Sequence, residues 1–169
     1  MTTADMGLAL ILALALALAP AMAPAAAGSP PAGSVWLNEK GSAAIRLATR
    51  DGELSGRIVW MRQPRDDSGA IKRDRHNPDP ALRERPLCGL PLLEGFHRDG
   101  EHWVGGRVYN PSNGKQYAAR LSLPAPDTLV MRGYVVLPVF GSSVTWQRAE
   151  APPGECPDAA DWSASGSGG

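Results

Sequence analysis

The sequence predicts an all-β fold: a single antiparallel up-and-down β-barrel of about eight strands, with one long loop rich in proline and arginine. Three observations predict it. The middle of the chain holds no convincing amphipathic helix; instead it shows short alternating runs separated by turn residues. Asp51-Gly52, Asp99-Gly100 and Asn113-Gly114 fall between those runs, and such pairs accept the positive φ that tight hairpins require. Each run also presents one apolar face and one polar, often arginine-bearing face, as a sheet needs if it closes with its apolar side inward.

The elements follow in order. Residues 7–19 (GLALILALALALA) are unbroken apolar sequence, followed by Pro20 and the small-residue sites Ala21-Met22-Ala23 and Ala25-Ala26-Ala27. This predicts a signal peptide over 1–23, cleaved on export to the periplasm or beyond, although the preceding MTTAD has no basic residue. An uncleaved membrane anchor is the alternative. Residues 24–33 read as a flexible linker. Strands are expected at 35–38, 43–48, 53–61, 92–96, 101–109, 115–123, 128–136 and 142–148, within a barrel domain spanning 34–150. Residues 151–169 (APPGECPDAADWSASGSGG) have the composition of a disordered tail.

Charge narrows the partners. The barrel domain holds seventeen basic residues against thirteen acidic ones, a net of +4. That excess is small and evenly spread, which argues against nucleic acid. The sequence gives no sign of a cofactor and does not set the oligomeric state. The two cysteines, Cys88 and Cys156, can form a disulfide in an oxidising compartment; a buried, unpaired Cys88 is the other reading.

Alternation assigns faces. Leu54, Gly56, Ile58 and Trp60 share one side; so do Tyr117, Ala119, Leu121 and Leu123, and likewise Leu129, Met131, Gly133 and Val135. The small inward positions Gly56, Gly106, Ala119 and Gly133 either mark strand bends or leave room for a ligand. Trp60, Tyr117, Met131 and Trp146 are the candidate lining of a site for a small apolar or amphipathic molecule. Arg46, Arg57, Arg120 and Arg132 face outward, as solvated charge or as a contact with an anionic partner in the cell envelope.

Between the third and fourth runs lies "DRHNPDPALRERPLCGL", residues 74–90. A catalytic reading pairs His76 with Asp74 or Asp79, but the chain has no nucleophile elbow and no cysteine matched to a histidine. A calcium reading uses Asp74, Asn77 and Asp79, without the glycine and closing glutamate of a calcium loop. Zinc lacks clustered ligands. A brace that can also cover one mouth of the barrel as a lid fits the composition better. Pro78, Pro80 and Pro86 stiffen the chain, Asn77, Asp79, Arg83, Glu84 and Arg85 can pin it, and Leu82, Leu87 and Leu90 supply apolar anchors.

Gly56-Arg57-Ile58-Val59-Trp60, the run Asn77-Pro78-Asp79-Pro80-Ala81-Leu82-Arg83 with Arg85-Pro86-Leu87 and Gly89-Leu90-Pro91, and later Tyr109-Asn110-Pro111, Arg132-Gly133 and Thr145-Trp146 resemble the family of exported bacterial proteins catalogued as domain of unknown function 2147. The resemblance covers about 35–148. It implies a lipocalin or calycin-like barrel in the bacterial envelope and supplies no activity. Lipocalin-like barrels usually have Gly-x-Trp near the first strand; here Ser34 precedes Val35-Trp36. Relatives commonly carry cysteines at the positions matching Ser55 and Tyr134, which this chain lacks. A protein that binds a small ligand inside the barrel is the expected function; an envelope interaction protein with a filled barrel is the alternative, and an enzyme ranks behind both.

Overall fold

The computed structural model describes residue 30, residues 33–135, residue 139, residues 141–150 and residue 156. The segment read as a signal peptide, most of the linker and all of the tail except Cys156 lie outside the described residues. The strands are β1 (Val35–Leu37), β2 (Ala43–Arg50), β3 (Glu53–Met61), β4 (Pro91–Asp99), β5 (His102–Val104), β6 (Arg107–Asn110), β7 (Lys115–Ala125), β8 (Thr128–Tyr134) and β9 (Ser142–Ala149). All pairings are antiparallel, and β1 pairs with β9, so the sheet closes into a barrel. β5 and β6 share one position between β4 and β7, which leaves eight positions around the wall.

That shared position departs from the single strand expected over 101–109. The break falls at Gly105-Gly106. Gly105 has φ +79°, in the left-handed region that glycine tolerates best, and a Cβ on Gly106 would run into the ring of Phe96. The glycines thus let the wall bend close over a core aromatic.

Hairpins at Arg50–Glu53, Asp99–His102 and Ala125–Thr128 turn at one end of the barrel, and this end is packed solid. Trp36, Leu54, Phe96, Trp103, Leu123 and Leu129 meet there, each at most 5% exposed. Burying side chains of this size contributes roughly 1.5–3 kcal/mol each. The indole N–H of Trp36 donates to Ser34 Oγ at 2.9 Å, so the serine in place of the usual glycine satisfies a buried donor.

A β-bulge changes the third strand. Ala44 pairs with Trp60 but Ile45 pairs with Ile58, leaving Val59 as the extra residue. Past it the faces exchange. Val59 and Trp60 pack with Val35, Ala44, Cys88 and Cys156, while Ile58 and Met61 pack with Leu90 and Tyr109. Since Trp36 and Ile45, next to Val35 and Ala44 in the chain, belong to the interior, the Trp60 cluster sits on the outer side of the wall. There Cys88 and Cys156 form a disulfide with Cα atoms 5.6 Å apart, and Cys156 N–H donates to the Val59 carbonyl at 2.7 Å.

Candidate functional site

The other end of the barrel is where β3 hands the chain to the long loop, residues 62–90, and where β6 turns into β7. Inward residues of neighbouring strands form cross-strand rows. Leu121, Met131 and Val144 make one row across β7, β8 and β9. The next row toward this mouth is Ala119, Gly133 and Ser142, all small. Small residues above large ones leave a hollow. It is a pocket of about 310 Å³, lined mainly by apolar atoms of Val108, Tyr117, Met131, Val144 and Trp146 and reaching Tyr109. That volume sits at the low end for small-molecule sites, about 300–1,000 Å³.

Three of the four residues expected to line a ligand site, Tyr117, Met131 and Trp146, thus come together. Trp60 does not join them, because the Val59 bulge turns it into the outer cluster beside the disulfide. The small inward residues divide as well. A Cβ on Gly56 would lie 2.9–3.2 Å from Leu47, Leu93 and Ile45, so this glycine serves close packing. A Cβ on Gly133 would stand 3.9 Å from Tyr117 and Val108, an ordinary contact distance, so this glycine is not forced by crowding. Val135, expected to continue the inward row, is 80% exposed beyond the end of β8.

The long loop is built locally before it docks. Asp66 accepts from the backbone N–H groups of Ser68 and Ala70, closing a small hairpin bridged by Arg65 and Ile71. The Ser68 hydroxyl, the strongest influence on its carboxyl, helps hold Asp66 below the usual carboxylate value. Asp79 caps a 3₁₀ turn at Pro80–Leu82 by accepting from Ala81 N–H at 2.9 Å. Leu87 and Leu90 pack against Ile58 and Tyr109, whereas Leu82, expected as an anchor, is 39% exposed.

The centre of the docking is Asp74, which is fully buried. Its Oδ1 accepts from the Tyr109 hydroxyl at 2.6 Å. Its Oδ2 accepts from Asn77 Nδ2 at 2.8 Å, from Arg85 Nη2 at 2.9 Å and from Arg85 Nε at 3.0 Å. Asn77 Oδ1 in turn accepts from Asp79 N–H, and Arg83 Nε donates to the Asn77 carbonyl. Asn77, Asp79, Arg83 and Arg85 therefore form one network, with Asp74 at its hub and Tyr109 joining it to the barrel wall. Burial pushes the Asp74 carboxyl up, but the bonds from Tyr109, Asn77 and Arg85 outweigh it and hold the group below its ordinary value. Burial and then the Asp74 carboxylate push the Tyr109 phenol up.

Glu84 plays a lesser part, as an exposed partner 3.6 Å from Arg73. His76 is exposed and its side chain makes no hydrogen bond among the described residues, so Asp74 is not arranged as its partner. A second contact fixes the loop at the turn between β6 and β7. Gly114, in the Asn113-Gly114 turn with φ +69°, lies so close to the His76 carbonyl that a Cβ there would collide with it. Tyr109 and Asp74, the two centres of the network, were not foreseen as partners. They lie 35 residues apart in the chain, and no local pattern links them.

The family described as "Uncharacterized protein conserved in bacteria (DUF2147)" matches this chain over residues 34–148. Among solved structures, the chain is similar to protein HP1028 of Helicobacter pylori, reported to belong to the lipocalin family. The TM-score is 0.61 at 22% identity, over 72% of this chain and 85% of that one, a likeness that shows the fold. No curated protein matches.

Proposed function

Because the chain belongs to the DUF2147 family and folds as a lipocalin-like barrel, we propose that it is an exported binding protein that holds a small apolar or amphipathic molecule at the barrel mouth. The observation that carries this reading is the hollow above Met131 and Val144, where the small residues Gly133 and Ser142 line the pocket. Its chemistry suits an aromatic ring or a short acyl chain: apolar walls, with the Tyr117 hydroxyl near the rim where it accepts from Asn113 Nδ2 at 3.0 Å. Export is supported by the apolar N-terminal run and by the Cys88–Cys156 disulfide, since such bonds persist in oxidising compartments.

Gly133→Leu is the direct test. The backbone at Gly133 does not need positive φ and a Cβ there makes only ordinary contacts with Tyr117 and Val108, so the leucine should extend into the pocket and leave the thermal midpoint unchanged or higher. The wild-type protein should bind a fluorescent fatty-acid analogue saturably, and the variant should bind it at least about tenfold more weakly, the worth of about one well-buried contact. Equal binding by both proteins would place the probe elsewhere and sink this reading. Cell fractionation, with the intact mass of the mature chain, checks export independently.

A further inference from the structure

The outer wall carries a second concavity, on the opposite face of β8 and β9 from the apolar pocket. It encloses about 490 Å³ and is lined by His102, Arg120, Ser122, Arg132 and Ser143, with two valines. Arg120 and Arg132 are direct cross-strand partners on β7 and β8. Like charges set directly opposite each other destabilise a sheet, and none of the lining residues is acidic. The pairing therefore costs stability, and the concavity itself is lined by donors.

The two arginines are differently held. Arg132 is fixed, donating from Nη1 to Ser143 Oγ at 3.0 Å and from Nη2 to the Val139 carbonyl at 3.1 Å. Arg120 is exposed and makes no hydrogen bond or ion pair among the described residues. His102 adds an imidazole whose Nδ1 has no hydrogen-bond partner among them. One pre-positioned guanidinium, one available guanidinium and flanking hydroxyls make a donor-rich hollow with excess positive charge.

We propose that this concavity binds a phosphate group, presented either by a soluble phosphate ester or by a phospholipid head group. A phosphate group suits the pair: Arg120 offers parallel N–H donors, Arg132 keeps N–H groups beyond those given to Ser143 and Val139, and the phosphate has an oxygen for each while its charge relieves their mutual repulsion. Because the concavity lies on the outer wall, occupancy here and in the apolar pocket are independent, and either can fail without the other.

The experiment uses the full chain in two arms: calorimetric titration with inorganic phosphate and with glycerol phosphate, and co-sedimentation with phosphatidylglycerol vesicles against phosphatidylcholine vesicles. The variants are Arg120→Gln, Arg132→Gln and, as a charge-matched control, Lys40→Gln in the exposed β1–β2 turn. Saturable binding of the soluble anions that falls about tenfold in Arg120→Gln and holds in Lys40→Gln identifies a soluble phosphate ester. Binding to the anionic vesicles alone, with the same variant pattern, identifies a lipid head group. Arg132→Gln should weaken binding in whichever arm succeeds. Absence of binding in both arms, or equal loss in Arg120→Gln and Lys40→Gln, overturns the proposal. Arg120 is exposed, so its variant keeps the fold, and near-ultraviolet circular dichroism confirms this before titration.

Discussion

The two ends of this barrel solve the same closure problem with different chemistry. At one end tight hairpins turn the chain and aromatic rings meet across the axis: Trp36, Phe96 and Trp103 with Leu54 and Leu129. At the other, a row of small residues leaves the interior hollow, and a loop held by a buried carboxylate stands beside the opening. The first end is held by non-directional burial. The second is held by a handful of directional bonds converging on Asp74, so it can remain ordered without being filled. Order at the mouth of a barrel does not require a packed core beneath it.

The comparison can be broken most severely at the packed end. Phe96→Ala removes a fully buried ring and should cost about 3–5 kcal/mol in urea unfolding, lowering the stability of the whole barrel. Asp74→Ala should cost less, about 2–3 kcal/mol, because Arg85 stays partly solvated once its partner is gone. Its signature should be local: hydrogen exchange rising across residues 62–90 while β1, β2 and β9 stay protected. If exchange rises equally everywhere, the two ends are one cooperative unit and the contrast fails.

Acid should distinguish the ends too. The folded carboxyl of Asp74 lies below its unfolded value, so its contribution is fully present above the unfolded value of about 4 and is lost as pH falls through the folded one. Wild-type stability should therefore drop below about pH 4 more steeply than that of Asp74→Asn, measured by denaturant midpoint across that window. The smallest expected effect is Tyr109→Phe, about 1–2 kcal/mol: Asp74 Oδ1 loses its donor, while Asn77 and Arg85 still hold Oδ2. A loss as large as that of Asp74→Ala would show that the loop hangs on the tyrosine alone.

Most of the wall was legible in the sequence because period-two alternation and turn pairs are local signals. The eight strand positions follow from them, and so do the inward Tyr117, Met131 and Trp146. What escaped was set by tertiary contact. One inserted residue, Val59, exchanges the faces of β3, and nothing in ELSGRIVWM announces where the count slips. Gly105-Gly106 breaks a strand because Phe96 lies beneath it, a fact of packing rather than of propensity. Asp74 stood among the residues considered for catalysis and for calcium, and its depth makes it a structural hub instead. The residues Asn77, Asp79, Arg83 and Arg85 were grouped from composition alone, whereas the group they serve could be found only once Tyr109 was seen across the mouth.

The pairing of β1 with β9 sets Val35 beside Ala149; β1 runs away from the packed end and β9 runs toward it. The domain is thus entered and left from the same side, with the hollow facing the opposite way. A tether joined before Val35 or directly after Ala149 would present the mouth outward, away from whatever it fastens to. The geometry of closure is also a geometry of orientation.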